Sequence, residues 1–371
     1  MKEKINVAII GLGFGMEFIP IYQAYPGVEV YAISRRNKKE LKEVGERFNV
    51  KNLFTDWKDL LDIKEIDAIH VVSPVIEHAR MTIESLKAGK HCACTVPMAT
   101  TIKECKDIVK EKNKSGKVYM MMETAVYTRE FLYVKNLVDS GKLGRIQFLR
   151  GSHIQDMGLE GWPEYWLGFP PMWYGTHAIA PLLTLANSEA DSVICHGSGS
   201  ISDMLAKKYD SPFAVESATF KLKNSNVIAE ATRSLYETVR QYRESFDIYG
   251  DKLSFEWEQI QDENPVLFEG GENARRIVIP DTDEMLPEEI SKFTIRESIE
   301  DEKHASFIQG AGHGGSHPHM VNEFINSIKD GRDSVIDAAT SANWTSAGIC
   351  AHESALKNGE RVIIPDYKNL D

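Results

Sequence analysis

The stretch from Ile5 to Met122 constrains the fold most, because short β-branched or apolar runs alternate there with helix-length amphipathic segments. That rhythm belongs to a parallel sheet covered on both faces by helices. Strands are predicted at Ile5 to Ile10, Val28 to Ile33, near Leu53, and at Ala68 to Val72, His91 to Cys94 and Val118 to Met122. A capping box, Thr101-Ile102-Lys103-Glu104, opens a helix running towards Ser115, and Gly116 ends it. Beyond Met122 the rhythm changes. One helix-like stretch, Thr128 to Ser140, precedes strands predicted at Ile146 to His153, Ser192 to Gly199, Ala214 to Leu222, Val227 to Ser234, Ser245 to Tyr249 and Leu253 to Glu256. With no helices between most of them, these strands suit antiparallel neighbours, turning at Asn224-Ser225-Asn226 and Gly250-Asp251. Residues 260–316 read as a long surface excursion, and helical periodicity returns over Met320 to Ser327 and Ala338 to Leu356. The expected class is α/β: a doubly wound parallel sheet in residues 1–123, then an α+β domain in 124–371 with an open, mostly antiparallel sheet.

A chain of 371 residues, 42% hydrophobic and 26% charged, has the length and composition for two such cores. Its net charge of -12 repels phosphate backbones and anionic lipid, so neither nucleic acid nor a membrane is an expected partner. No apolar run approaches the roughly 18 residues of a membrane span. The opening Met1-Lys2-Glu3-Lys4 leads into a strand without a signal-peptide core, and the expected location is cytoplasmic. Cys92, Cys94, Cys105, Cys195 and Cys350 lack metal-type or redox-type spacing and read as reduced thiols.

The first strand runs into Gly11-Leu12-Gly13-Phe14-Gly15-Met16 and then a helix. A glycine-rich strand-to-helix turn lets a pyrophosphate reach backbone N–H groups at the positive end of a helix dipole. The third glycine of the usual G-x-G-x-x-G falls on Met16, with Gly15 next to it. At the end of the second strand stand Ser34 and Arg35, where a coenzyme without a 2′-phosphate would meet a carboxylate on its ribose. A hydroxyl and a guanidinium suit a 2′-phosphate instead, so the expected cofactor is NAD(P)(H), leaning towards NADP. Arg35 to Lys39 can also be read as a solvated basic helix start.

Further stretches follow in order: Ser73-Pro74-Val75-Ile76-Glu77-His78, Ala88-Gly89-Lys90-His91, Thr95-Val96-Pro97 and Gly175-Thr176-His177. Together with the opening turn they resemble the Gfo/Idh/MocA oxidoreductases over nearly the whole chain. The resemblance implies a Rossmann domain, a second domain whose open sheet often mediates oligomerisation, and hydride transfer between a secondary alcohol carbon of a sugar or polyol and NAD(P). It extends the cofactor set to Gly11, Gly13, Phe14, Gly15, Met16, Ser34, Arg35, Ser73, Pro74, His78, Thr95 and Pro97. The family's usual Glu-Lys-Pro is replaced by Thr95-Val96-Pro97, so the lysine expected at the reacting oxygen is absent. Its Asp-x-Gly-x-His becomes Trp173-Tyr174-Gly175-Thr176-His177. A histidine can carry the hydroxyl proton near neutral pH, which makes His177 the first catalytic candidate, with Tyr174 as relay or second acid. A hydrogen-bonded core histidine is the blander account of the same residue.

Tyr174-Gly175-Thr176-His177, Met122-Glu123, Tyr127-Thr128-Arg129-Glu130 and His313-Gly314-Gly315 are also similar to a branch of that superfamily, the NAD-dependent α-N-acetylgalactosaminidases. That likeness implies a second possibility, a glycoside hydrolase with transient oxidation at C3 and no net redox change. Tyr174, tuned downward, would then be the C2 base. A sensor that binds coenzyme and sugar without catalysis is a third. Expected substrate contacts are Glu123, Tyr127 and His313, as that likeness implies, and Trp162 and Trp173, since aromatic faces stack on sugar rings, although the same aromatic segment can also be read as covering a domain junction. His313, His317 and His319 are close in sequence, but no carboxylate or thiol sits at a fitting offset and no metal is assigned. Arg240 and Arg243 read either as a greeting for an anionic substrate group or as a surface ion-pair network. A homo-oligomer, dimer or tetramer, is the expected assembly.

Overall fold

A computed structural model describes residues 4–160, 162–238, 240, 242–260, 263–294, 313–368 and 370. The first six strands, β1 (Ile5–Ile10), β2 (Val28–Ser34), β3 (Asn52–Phe54), β4 (Ala68–Val71), β5 (His91–Thr95) and β6 (Tyr119–Met122), form one parallel sheet in the order β3-β2-β1-β4-β5-β6. Buried on both faces, β1, β4, β5 and β6 read as continuous apolar runs. Helices α1 (Ile19–Ala24), α2 (Lys38–Arg47), α3 (His78–Lys87) and α4 (Ile102–Ser115) make the crossovers. The α4 helix has its capping box, Thr101 with Glu104, and a left-handed Gly116 at its end. Strand order reverses between β1 and β4, so the crevice at their carboxyl ends is where this architecture places a ligand.

After α5 (Arg129–Asp139), nine strands, β7 (Ile146–Gln155), β8 (Ala190–Ser198), β9 (Val215–Leu222), β10 (Ile228–Ser234), β11 (Tyr242–Gly250), β12 (Ser254–Glu256), β13 (Val266–Phe268), β14 (Ala274–Arg276) and β15 (Val362–Ile363), build the second sheet. Its order is β14-β13-β12-β11-β7-β10-β9-β8-β15, with β7 and β10 the one parallel pair in an otherwise antiparallel array. The hairpin after Leu222 turns through Asn224, whose φ is 50°. Along β9 the residues alternate between buried and exposed, so one sheet face is packed and the other is bare.

Two expectations need correction. Helices α6 (Thr176–Leu185) and α7 (Asp203–Tyr209) interrupt the β-rich region. The α6 helix carries Pro181 and is buried almost all round, so it lacks the amphipathic signature of a surface helix. Residues 260–316 are not simply a surface excursion. Strands β13 and β14 extend the sheet, and Leu267, Ile277, Ile290 and Phe293 are buried. The part from 295 to 312 lies outside the described residues.

The chain ends through α8 (Glu288–Ser291), α9 (Ser316–Asp330) and α10 (Ala338–Leu356). The last of these is wedged between the two sheets. Thr345 receives the Met98 N–H at 3.4 Å on one side, while Asn343 exchanges hydrogen bonds with the backbone of Ala190 on the other. Just ahead of it, Ser334 donates to the carbonyl of Tyr119 in β6. A single apolar cluster consequently runs through both sheets. A smaller one, around Val75, Met157, Trp166, Phe169 and Tyr236, sits to the side. No described helix is long and apolar enough to cross a membrane.

Candidate active site

The opening turn has the geometry of a nucleotide cradle. Gly11 holds φ +87°, and a Cβ there would lie 2.1 Å from the Val72 carbonyl, so strand β1 can meet the end of β4 only through a glycine. A Cβ on Gly13 would meet nothing within 4 Å, which leaves open space against the backbone. A short 3-10 turn, Phe14–Phe18, then leads into α1, with Phe14 and Met16 half-buried. Ser34 is buried at the end of β2, and Arg35 beside it is paired with Glu40. These features fit a dinucleotide: free space beside a glycine backbone, then a hydroxyl and a cation at the ribose end.

His78 is placed differently from the expectation of a cofactor contact. Its ring is buried, with Nδ1 2.7 Å from the Pro97 carbonyl and Nε2 2.8 Å from that of Ser73. It therefore ties together the loops after β4 and β5, and only through them can it shape the crevice. Thr95 lies at the end of β5 and Val96 is buried. Ser73 and Pro74 line the half-buried turn after β4.

The second half of the site stands at the end of β6. Thr95 pairs with Met122, so Glu123, the next residue, emerges at the carboxyl edge of the parallel sheet. Its Oε1 accepts from the Ala125 N–H at 3.0 Å and from Nδ1 of His177 at 2.5 Å. A carboxylate oxygen accepts there, which assigns a proton to Nδ1 and turns Nε2 towards the Tyr174 hydroxyl, 3.2 Å away. Glu123 had been expected among the substrate contacts. With 0% exposure it instead orients the histidine.

Tyr174 and His177 flank the start of α6, and several neighbours fix that start. The Met172 N–H donates to Glu216, which also holds Nδ1 of His352 at 2.6 Å. Arg233 donates through Nε to the Tyr174 carbonyl at 2.8 Å and lies 5.0 Å from the tyrosine ring centre. The helix lies close on the sheet because β7 has Gly151 beneath it, where a Cβ would sit 2.1 Å from the Ala178 carbonyl. Around His177 are also His153, its ring centre 4.9 Å away, and Glu244, whose Oε1 is 3.8 Å from Nδ1. Strand register places Arg233, His153 and Glu244 in one row across β10, β7 and β11.

Burial lowers the affinity of His177 for a proton, but the Glu123 and Glu244 carboxylates outweigh it and hold its pKa above the ordinary imidazole value. Burial drives the Tyr174 phenol the other way from the expected downward tuning: its pKa is raised, and the opposing charge of Arg233 offsets this only in part. Arg233 itself is lowered to about 10 by burial.

The remaining expected contacts scatter. Trp173 packs edge-on against Phe169, Tyr209 and His352, with Trp166 and Tyr165 close by, so this aromatic segment builds a small core around the Tyr174 turn. Trp162 is half-buried at its margin. Tyr127 stacks on His319, whose Nε2 meets Thr282 at 2.9 Å. His313 lies 5.6 Å from the Phe14 ring, and a Cβ on its neighbour Gly314 would come 3.0 Å from Thr128. That turn bridges the glycine-rich loop and the His177 side of the crevice. Arg240 donates to the Gln259 carbonyl and is exposed. Sequence reasoning missed His153, Arg233 and Glu244.

Residues 5–123 match the family description "Oxidoreductase family, NAD-binding Rossmann fold", and residues 131–256 match the "GFO/IDH/MocA C-terminal domain". The chain belongs to the Gfo/Idh/MocA oxidoreductase family. Its similar relatives include a "Glycosyl hydrolase family 109 protein" of Shewanella baltica, 28% identical over 50% of this chain and 45% of that protein. A protein of the same description from Shewanella sp. (strain W3-18-1) is 25% identical over 98% of this chain and 85% of its own length. "Levoglucosan dehydrogenase" of Pseudarthrobacter phenanthrenivorans is 31% identical over 43% of each chain. For the first and third of these the match thus spans less than half of the relative's length. In fold, the chain is similar to levoglucosan dehydrogenase in complex with NADH, with a TM-score of 0.79, 19% identity, and 98% of this chain and 100% of that one covered. It is also similar to myo-inositol 2-dehydrogenase from Lactobacillus plantarum, with a TM-score of 0.76 and 18% identity over 98% and 100% of the two chains.

Proposed function

We propose that this Gfo/Idh/MocA protein is an NAD(P)-dependent dehydrogenase or reductase acting on a secondary alcohol, or the matching ketone, of a sugar, polyol or sugar derivative. The observation that carries the reading is the Glu123–His177–Tyr174 chain at the carboxyl edge of the parallel sheet. When bound, the nicotinamide supplies the hydride chemistry. Residues 1–123 would hold it, with Gly11, Gly13, Phe14, Gly15 and Met16 along the pyrophosphate and Thr95 and Pro97 bordering the crevice. Residues 124–371 would supply the substrate end. There His177 exchanges the substrate's hydroxyl proton at Nε2, directly or through the Tyr174 hydroxyl, while Glu123 keeps the ring oriented. This division of labour needs no lysine at Val96.

Ser34 and Arg35 support a preference for the 2′-phosphorylated coenzyme, for which the phosphate must displace the Glu40 carboxylate from Arg35. The bare face of the second sheet supports a homo-oligomer. Five free, buried cysteines support a reducing, cytoplasmic setting.

Similarity to a family 109 protein across 98% of this chain, together with the Tyr174–His177 pair, favours a second reading, the redox-assisted glycoside hydrolase. One assay separates the two. Purified protein is incubated with sugars, polyols and aryl glycosides while reduced nicotinamide and released aglycone are both followed. Net change in the nicotinamide supports the dehydrogenase, and aglycone released without it replaces that reading with the hydrolase. Silence in both channels leaves a non-catalytic sensor.

A further inference from the structure

Glu244 faces His177 from β11 but stands outside the Glu123–His177–Tyr174 chain. Two carboxylates surround one imidazole nitrogen: Glu123 at 2.5 Å and Glu244 at 3.8 Å from Nδ1 of His177. Glu244 is held by Tyr242, whose hydroxyl donates to Oε2 at 2.8 Å, while Oε1 has no hydrogen-bond partner among the described residues. Beside it lies a cavity of about 10 Å³, lined by His177, Glu244, Thr128 and Ser245 among others. That is room for about one water, able to bridge the free carboxylate oxygen to its neighbours.

The buried titratable groups around the ring come from five elements. Glu123 follows β6, Tyr174 precedes α6, His153 is on β7, Arg233 on β10 and Glu244 with Tyr242 on β11. Beyond them, Glu130 at the start of α5 and His313 ahead of α9 act at longer range on Glu244 and His153 respectively. Arg233 is fully buried, and all of its hydrogen-bond acceptors are neutral: the carbonyls of Tyr174, His153 and Ser234 and the amide oxygen of Gln155. Two carboxylates against one guanidinium leave one negative charge over; burial and the neighbouring Glu123 raise the Glu244 carboxyl, and the His177 ring beside both is placed to take the balancing proton.

We propose that Glu244 is a positioning residue that, with Glu123, holds His177 as an imidazolium, so that the resting site is loaded to donate a proton and takes a ketone substrate with the reduced coenzyme. The inference rests on the dehydrogenase reading and adds its direction and substrate class, a keto-sugar or keto-polyol. In that step hydride passes from the reduced nicotinamide to the carbonyl carbon. The proton on Nε2 of His177 passes to the carbonyl oxygen, Nδ1–H stays on Glu123, and the neutral ring then regains one proton from solvent. Glu244, whose side chain is 12% exposed against 0% for Glu123, is the carboxylate closer to that solvent.

The test is an NMR titration of the histidine rings in coenzyme-loaded protein, with His177 assigned by its loss in His177→Asn. The native midpoint is expected above the free-imidazole value of about 6.5, and Glu244→Gln should lower it by about one pH unit. A native midpoint below that value, or one that Glu244→Gln does not move, overturns the proposal. Should the amide variant fold poorly, Glu244→Asp keeps the charge and is expected to keep a raised midpoint; a midpoint at the free-imidazole value overturns the idea equally. In ketone reduction, the high-pH fall in kcat/KM should move down by the same amount in Glu244→Gln with coenzyme binding unchanged. If the native protein turns over no ketone or alcohol, the dehydrogenase reading fails on that control, while the titration still decides what Glu244 does.

Discussion

At the scale of single residues, the proton route is the most exposed to test. Replacing His177 by Asn keeps a polar side chain of similar reach but removes the titrating ring. Turnover should fall roughly 10²- to 10⁴-fold, with coenzyme binding, followed by nicotinamide fluorescence, little changed. Equal turnover would remove the imidazole from the chemistry. Arg35→Ala should weaken the 2′-phosphorylated coenzyme by roughly 10- to 100-fold, the range for losing a charge-assisted bond, and leave the unphosphorylated one nearly untouched. Comparable losses for both would show that Arg35 does not select. Both residues were visible in the sequence, one in a short motif beside a glycine, the other at a fixed place after the second strand. Glu244, Arg233 and His153 were not, because their meaning lies in strand register across β11, β10 and β7 rather than in local spacing. A signal existed. Tyr242 and Glu244 share a strand face with Phe246 and Ile248, and Arg233 shares one with Ala229 and Ala231, so polar groups stand on faces otherwise destined for the core.

Elements were legible in proportion to how much local chemistry defines them. The parallel sheet announced itself through runs buried on both faces, and α4 through its capping box. The α6 helix did not, since burial on every side erases periodicity and Pro181 argues against a helix interior. Strands β13 and β14 are three residues each, too short for alternation to register. Yet α6 carries the catalytic candidate, and its seat on β7 depends on one missing side chain. Gly151→Ala places a methyl against the Ala178 carbonyl, where overpacking typically costs about 1–3 kcal/mol and moves backbone. The expected result is a folded protein that binds coenzyme but has lost most of its turnover. Native activity in that variant would mean that the helix can shift without disturbing His177.

Across the whole molecule, buried histidines set the response to acid. Burial lowers His70 to about 3 and His319 to about 4, so both stay neutral in the native state. Unfolded, each binds a proton below about pH 6.5, so the unfolded chain gains protons first and stability declines as pH falls from there. By pH 5 the loss is about 2 kcal/mol for each ring, a sizeable share of a typical stability of about 5–15 kcal/mol. His177 has the opposite sign: its raised pKa adds stability that is complete below its unfolded value and disappears as pH climbs through the folded one. Denaturant midpoints measured from pH 7 to pH 5 should therefore decline, and a flat profile would contradict the burial of these rings.

The wedge of Ala338–Leu356 bears on how such a chain comes into being. Because that helix covers α4 and contacts β6, the amino-terminal sheet keeps an apolar flank uncovered until Leu356 has left the ribosome, more than two hundred residues after β6. Nascent chains of this protein should consequently need shelter until that helix emerges, and nucleotide gripping should mature only after it has docked.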